Sequence, residues 1–179
     1  MGYKIIKEME FFMKKYYFKE KFFKITDKYP ILDENGNEVY FFDQDFKFVG
    51  YKAKLKDMDG KVLFDISKKI LSFLQTYYVD FYDGSHMEIN QKLSFLKRKV
   101  EINYQGEHFS LKGSIMDHDF EVYYKNNLIA EMNKKFFALT DQYELTVYDE
   151  KYSLILIALC LCINEMKDRD DAAAAASSN

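Results

Sequence analysis

Residues 152–163 read YSLILIALCLCI and contain the longest apolar run of the chain. Asp149 and Glu150 stand just before this run, and either side chain can cap the start of a helix and complement its dipole. The content of Leu and Ala favours a helix over the alternative, a buried central strand. Such a helix would be about 18 Å long, and because it is apolar on every face it must be buried on every face. The rest of the chain is therefore expected to wrap around it.

The residues before this run carry the pattern of antiparallel strands. Apolar and polar residues alternate over 100–104, 120–124 and 143–147, which is typical of strands with one face on a core and one on water. Closing the sheet around the helix would remove exposed strand edges. Pairs of residues that favour tight hairpin turns separate the apolar runs, and they are Asn35-Gly36, Asp59-Gly60, Asp83-Gly84, Gln105-Gly106 and Asn126-Asn127. The sequence therefore predicts a closed, meandering antiparallel sheet.

The composition supports a single, strand-rich domain. The chain has 17 Phe, 15 Tyr and one Pro among 179 residues, and Phe and Tyr favour strands. We predict one domain over residues 1–167, because nothing in that stretch resembles a linker. Within it, residues 1–16 form either an amphipathic helix or a first strand. Residues 168–179 include an alanine run and are predicted to be a low-complexity tail.

Charge and cysteine content limit the possible partners and location. The net charge of −3 argues against binding to duplex nucleic acid, which requires clustered positive charge. Residues 1–28 are basic, and such an arm can meet an anionic membrane or form an ordinary solvated face. Cys160 and Cys162 lie in the apolar run, where buried reduced thiols suit a cytoplasmic location. That run is too short to cross a bilayer core of about 30 Å, so we expect a soluble protein.

One segment of the sequence is repeated. Residues 21–29 read KFFKITDKY and recur as KFFALTDQY at residues 135–143, while a weaker copy runs from Lys69 to Tyr77. The copies are unequally spaced, whereas a solenoid keeps a fixed period. The repeat therefore predicts one strand–turn–strand unit used at related places in a pseudo-symmetric sheet.

The order of the motifs resembles the LURP-one-related family. The resemblance covers residues 17–167 and rests on YFKEKFF at 17–23, DENG at 33–36, residues 60–72, IAEMNKKFF at 129–137 and the closing apolar run. It implies a tubby-like fold, which is a closed antiparallel barrel of about twelve strands threaded by a hydrophobic C-terminal helix. Phospholipid scramblases look like distant relatives.

The resemblance implies little about function. Most members of the family have no established biochemical activity, and although tubby-type relatives are associated with phosphoinositides, their basic site has no match at particular positions here. The chain also departs from the family's common pattern, because it has Phe136-Phe137 in the last repeat and no Trp.

The sequence contains no catalytic constellation. The three histidines are scattered, and the two cysteines belong to the apolar run, so we predict neither a metal nor another cofactor. Asp117-His118-Asp119 could place a base between two carboxylates, but the triplet is more typical of a turn. We therefore predict that the protein is not an enzyme.

Lysines are the remaining candidates for a site. Lys68 and Lys69 occupy the same place in one repeat copy as Lys134 and Lys135 in another, and Lys21 matches them in the first copy. Lysines at strand ends commonly protect sheet edges. The alternative is that these lysines form a surface for an anionic ligand.

Two functions remain open from the sequence. The first is a non-catalytic module that binds an anionic ligand or a lipid headgroup, with the protein peripheral to the inner face of the membrane. The second is a structural or regulatory module that binds a protein partner through exposed Tyr and Phe side chains around residues 77–82.

Overall fold

A computed structural model describes residues 13–19, 28–45, 50–92, 99–135 and 142–177 of the chain. These residues form twelve β-strands, a short 3-10 helix (Glu150–Tyr152) and a long helix, α1 (Ser153–Ser177). The strands are β1 (Lys14–Lys19), β2 (Lys28–Leu32), β3 (Glu38–Asp45), β4 (Lys52–Asp57), β5 (Val62–Lys68), β6 (Thr76–Phe81), β7 (His86–Lys92), β8 (Lys99–Tyr104), β9 (Glu107–Ser114), β10 (Asp119–Tyr124), β11 (Asn127–Lys135) and β12 (Gln142–Val147).

The twelve strands close into one antiparallel barrel. Each strand pairs with its neighbours in sequence, and β1 pairs with β12 to complete the ring. The β1–β12 ladder has six residue pairs, from Lys14 opposite Val147 to Lys19 opposite Gln142. The predicted fold, a closed antiparallel barrel of about twelve strands around a C-terminal helix, is confirmed.

The two ends of the barrel differ in their connections. All five predicted hairpin turns are present at one end, here called the turn end. Between β8 and β9, Gln105 and Gly106 have φ angles of 53° and 81°, the two positive values that a type I′ turn requires. The opposite end, here called the exit end, is where α1 leaves the barrel, because Gln75 at the start of β6 donates to the Met166 carbonyl at 3.1 Å.

α1 fills the barrel and forms the centre of its core. Residues 155–166 are all buried, including the polar Asn164 and Glu165 near the exit end. The strands direct alternate residues at the helix. Cys160 and Cys162 are both buried and free, and burial raises the pKa of each thiol. No helix within the described residues has the length and apolarity that crossing a bilayer requires.

The helix extends well beyond its predicted end near Ile163. It continues to Ser177 and so includes most of the stretch that the sequence assigns to a tail. Ala is the strongest helix former, and Lys167 forms an ion pair with Asp171 one turn later, at 2.6 Å. Both effects favour continuation of a helix that is already nucleated inside the barrel.

The start of the helix follows the predicted capping. Asp149 accepts a hydrogen bond from the Lys151 N–H at 3.3 Å, which caps the 3-10 turn that leads into α1. At the other end of the chain, Lys14–Lys19 form β1. Residues 1–12 lie outside the described residues, so the choice between a helix and a strand there stays a prediction, whereas residues 14–16 belong to β1.

A polar cluster lies on the outer face of the seam between β1 and β12. The Tyr17 hydroxyl donates to Glu144 Oε2 at 2.7 Å, and Glu144 lies 3.4 Å from Lys15 Nζ and 3.5 Å from Lys135 Nζ. Burial opposes the ionisation of Glu144, but the hydrogen bond and the two lysines lower the pKa of its carboxyl. Burial and the same hydrogen bond raise the pKa of Tyr17 to about 12. The cluster therefore joins β1, β11 and β12.

Replacing Tyr17 with Phe removes one of the groups that hold Glu144 ionised. We expect the free energy of unfolding at pH 7 to fall by about 1.5 to 3 kcal/mol, the range for hydrogen bonds to charged groups. The pKa of Glu144 is lowered in the folded state, so its contribution is present above the unfolded pKa of about 4.3. That contribution disappears as the pH falls through the folded-state pKa. Urea denaturation should therefore show the gap between wild type and variant narrowing from pH 7 to pH 3.

The matched control is Tyr123→Phe, which removes a hydroxyl that donates to Glu121 at 2.7 Å away from the seam. We expect a smaller loss of stability there, because ion pairs and hydrogen bonds on open surfaces contribute little. Equal losses in the two variants, or a gap that does not depend on pH, would contradict the role of the seam cluster.

β9 and β10 approach each other closely at Gly113. The residue has a φ of 107°, and a Cβ built on it would lie 2.5 Å from the Asp119 carbonyl oxygen and 2.9 Å from the Phe120 Cα. Both contacts are with backbone, so rotation of a side chain cannot relieve them. Gly113 thereby sets the geometry of the turn between β9 and β10.

Replacing Gly113 with Ala should destabilise the protein through both the backbone and the contact. We expect a loss of about 1 to 2 kcal/mol from the left-handed conformation and about 1 to 3 kcal/mol more from overpacking. Gly106→Ala is the control, since its φ is 81° and a Cβ added there would meet no atom within 4 Å. Equal midpoints of thermal unfolding in the two variants would show that the backbone around Gly113 accommodates a Cβ without loss of stability.

Candidate functional site

The predicted anion-binding lysines do not form one surface. Lys68 ends β5 with Lys69 just after it, while Lys134 and Lys135 end β11, so all four lie at the exit end. However, β5 and β11 stand six places apart in the closed order of twelve strands, on opposite sides of the barrel. Lys21 lies outside the described residues. The structure therefore divides the described candidates into two separate pairs.

The first lysine of each pair occupies an equivalent inward position. Lys68 lies opposite Tyr77 in the β5–β6 ladder, and Lys134 lies opposite Tyr143 in the β11–β12 ladder. In both pairs the Lys Nζ lies 5.8 Å from the centroid of the tyrosine ring, within the range of a cation–π interaction. In both described copies of the sequence repeat, a lysine at the exit end of one strand therefore lies over the ring of a tyrosine in the next strand.

The second lysine of each pair faces away from the core. Lys135 points to the outer face, where its Nζ lies 3.5 Å from Glu144 in the seam cluster. Lys69 is exposed, and its backbone N–H donates to the Thr76 carbonyl at 2.9 Å. Consecutive residues of a strand point to opposite faces, so each of the two described repeat copies supplies one inward lysine and one outward lysine.

The helix occupies the exit on the Lys68 side. Arg169 of α1 forms an ion pair with Glu165, and its guanidinium carbon lies 5.8 Å from the centroid of the Tyr51 ring. Burial raises the pKa of Glu165, although Arg169 opposes this effect. Burial and the nearby Arg169 charge lower the pKa of Lys68, with Glu165 acting in the opposite direction. This half of the exit end is therefore closed by the helix's own charged side chains.

Glutamine side chains complete the closure on that side. The Tyr77 hydroxyl donates to Gln75 Oε1 at 2.9 Å. Gln75 Nε2 in turn donates to the Met166 carbonyl and to Asp170 Oδ1, both at 3.1 Å. These bonds attach β6 to α1 and leave little polar capacity for a ligand.

An open cleft occupies the Lys134 side. Its volume is about 500 Å³, within the range of small-molecule sites, whereas two other cavities among the described residues measure about 230 and 250 Å³. The cleft lies between the β9–β10 turn, the exit ends of β11 and β12, and α1. It is lined by Met116, Asp117, His118, Asp119, Asn133, Lys134, Tyr143 and Lys167.

The Asp117-His118-Asp119 triplet lies at the turn between β9 and β10, with Asp119 as the first residue of β10, as the sequence predicts. His118 has a φ of 52° and is only 2% exposed. Its ring stacks on Tyr143 with the centroids 4.2 Å apart and the planes at 26°. Ser114 Oγ donates to Asp117 Oδ2 at 2.5 Å and fixes the carboxylate beside the strand end.

The walls of the cleft carry both signs of charge. Lys134 and Lys167 supply two cations, while Asp117 and Asp119 supply two carboxylates. An anionic group can meet the ammonium groups, and hydroxyl or ammonium donors on the same molecule can meet the carboxylates. Within the described residues, no group of three His, Cys, Asp or Glu side chains could hold a metal ion.

Sequence reasoning singled out Lys134 and the triplet but missed that they share one cleft. It also missed Lys167, Asn133 and Tyr143 as parts of the same walls. The available indication was the position of Tyr143, because it ends a repeat copy just as Tyr77 does. The aromatic residues around 77–82 also differ from expectation. Tyr77 and Phe81 are 0% and 8% exposed because β6 directs them inward, and Tyr82 is 72% exposed.

Comparisons with known proteins agree on the architecture. The family model described as LURP-one-related matches residues 14–164. A protein of Bacillus subtilis (strain 168), described as uncharacterized protein YxjI, is 24% identical over 155 residues, which are 87% of this chain and 94% of that protein. The X-ray structure of a protein from Arabidopsis thaliana superposes with a TM-score of 0.63 at 16% identity, and the match covers 86% of this chain and 91% of that one.

Replacing Arg169 with Leu should show how much the buried Glu165 carboxylate lowers the free energy of unfolding when it has no cationic partner. The pKa of Glu165 is raised in the folded state, so its charge costs stability above the unfolded pKa and costs nothing below it. We expect the variant to lose about 1 to 3 kcal/mol at pH 7, as for a buried charged group without its partner. The loss measured by urea denaturation should shrink at pH 4.

Lys167→Leu provides the control, because it removes the cation of a neighbouring pair whose Asp171 side chain is 58% exposed. That change should cost at most about 0.5 kcal/mol. An Arg169→Leu variant that is equally destabilised at both pH values would contradict the proposed cause.

Proposed function

The chain belongs to the LURP-one-related family, and we propose that it is a non-catalytic module that binds an anionic small ligand in the cleft beside Lys134. The observation that carries the proposal is the position of Lys134. It is the inward lysine of a repeat copy, and it lines a cleft of about 500 Å³, whereas the equivalent position at Lys68 is closed by Arg169 and Gln75.

The charges of the walls define the chemistry of the ligand. A phosphate or carboxylate would lie against Lys134 and Lys167, and hydroxyl or ammonium groups of the same molecule would donate to Asp117 and Asp119. Free polyol phosphates and lipid headgroups share this chemistry. The volume of the cleft suits one headgroup-sized molecule.

A binding role fits the cleft better than catalysis. His118 would be the natural base, but it is 2% exposed and stacked on Tyr143. General base catalysis requires the ring nitrogen within hydrogen-bonding reach of the substrate proton. Packing against Tyr143 instead gives His118 a role in shaping the wall of the cleft.

Binding of a protein partner is the second candidate function. It is favoured by Tyr82 and Met58, which are 72% and 51% exposed and lie in neighbouring turns at the turn end. Lys61 Nζ lies 4.6 Å from the centroid of the Tyr82 ring. The candidate is weaker than the sequence implies, because Tyr77 and Phe81 face the core.

The cleft proposal is tested by titrating ¹⁵N-labelled protein with glycerol 3-phosphate and with inositol 1-phosphate. We expect shifts of backbone amides at 116–119, 133–134 and 143. In Lys134→Gln the dissociation constant should rise about tenfold, because a charge-assisted hydrogen bond is lost. The matched control is Lys135→Gln, which removes the adjacent outward lysine and should bind like the wild type.

Two outcomes would contradict the proposal. One is an unchanged affinity in Lys134→Gln, and the other is a set of shifts that maps away from the cleft. The source of the ligand is separated by comparing inositol 1-phosphate with vesicles that contain phosphatidylinositol. A preference for these vesicles over phosphatidylserine vesicles of equal charge that the soluble compound abolishes indicates a headgroup, and binding of the soluble compound without such a preference indicates a free metabolite.

A further inference from the structure

Exposed apolar side chains are concentrated in one loop at the exit end. Five large hydrophobic residues among those described are exposed, and three of them fall within residues 70–73. Leu71 is 101% exposed, Phe73 is 93% exposed and Ile70 is 56% exposed. These residues belong to the connection between β5 and β6, residues 69–75, here called the apolar loop. Single exposed apolar residues are ordinary, but a cluster of this kind marks an interaction site.

The apolar loop has a defined base that presents its tip to solvent. The Lys69 N–H donates to the Thr76 carbonyl at 2.9 Å, and the Gln91 N–H donates to the Gln75 carbonyl at 2.8 Å. Leu71 has a φ of 58°, which is a rare conformation for a bulky residue. A backbone held in this way turns the Leu71 side chain outward.

Lysines flank the start of the apolar loop, Asp170 of α1 accepts a hydrogen bond from Gln75 at its end, and the tip carries no charge. Lys68 precedes the loop, Lys69 is its first residue, and the exposed Lys52 begins β4, the next strand of the barrel. Residues 70–74 read ILSFL. An apolar tip beside Lys52, Lys68 and Lys69 matches an anionic bilayer, where Leu and Phe enter the boundary between headgroups and acyl chains and lysines remain with the phosphates.

We propose that the apolar loop docks the protein on an anionic lipid bilayer by inserting Leu71 and Phe73 between the headgroups. The seven residues of the loop are fewer than the roughly 20 residues a side that a stable protein–protein interface uses. Binding to a bilayer needs no such area, because a few apolar side chains can insert between the headgroups while neighbouring lysines bind the surface. The loop stands on the opposite side of the exit end from the cleft, so this docking does not depend on a ligand beside Lys134.

The first test is flotation of the purified protein with vesicles. We expect the wild type to float with vesicles of phosphatidylcholine and phosphatidylserine at a 7:3 ratio, and to float weakly with phosphatidylcholine alone. The double variant Leu71→Ser/Phe73→Ser should lose at least tenfold in its partition coefficient. Lys68→Gln/Lys69→Gln should weaken binding to the anionic vesicles in the same direction as added salt does. Tyr82→Ser is the control, because it removes an exposed aromatic ring from the turn end and should change nothing.

The second test uses the absence of tryptophan from the chain. Phe73→Trp places one reporter in the apolar loop, and Tyr82→Trp places one at the turn end. We expect anionic vesicles to shift the emission of Phe73→Trp to the blue and brominated lipids to quench it, with no change for Tyr82→Trp. Far-UV circular dichroism checks that each variant remains folded.

The proposal is overturned if the wild type floats with neither vesicle, or if Leu71→Ser/Phe73→Ser floats as the wild type does. It is also overturned if sedimentation shows a dimer that this double variant abolishes, because the loop would then bind a second copy of the chain. The outcome is separable from that of the cleft. The double variant should retain the affinity for glycerol 3-phosphate, and Lys134→Gln should retain the flotation of the wild type.

Discussion

α1 presents apolar side chains in every direction over residues 155–163, so water has to be excluded all round it. A flat sheet covers one side of a helix, whereas a closed barrel covers all sides and also removes the unpaired strand edges. Closure requires β1 and β12 to pair, although they come from opposite ends of the chain. Burial of the helix therefore requires the β1–β12 seam, where Tyr17 is hydrogen-bonded to Glu144.

The elements that depend on local chemistry are readable from the sequence. Asn-Gly and Asp-Gly pairs need particular backbone angles, so the hairpin turns could be placed, and the run at 152–163 could be assigned to the interior. The end of α1 was harder to predict, because helix propensity alone is a weak predictor even for alanine, and an alanine run also resembles a tail. The β1–β12 seam has no local signature at all. It follows from the demand for closure rather than from the residues that form it.

The site was only partly predictable for a related reason. The repeat identified Lys68 and Lys134 as equivalent positions, but closure of the sheet places them on opposite sides of the barrel. The residues of α1 beyond 163 decide whether each lysine borders a cleft or a filled exit. Arg169 of α1 contacts Tyr51, and the Met166 carbonyl accepts from Gln75, so the helix fills the exit on the Lys68 side. The spacing of residues along the sequence does not predict long-range packing of this kind.

The order of the elements along the chain has a consequence for how the protein is made. The twelve strands are synthesised before the helix that fills the barrel, since α1 follows β12. Until then the inward aromatic and aliphatic side chains of twelve strands have no partner at the barrel's centre. Nascent chains that contain all twelve strands but lack α1 therefore expose these apolar side chains, and the barrel can pack its core only after α1 has been synthesised. A truncation that removes α1 would therefore remove the centre of the core.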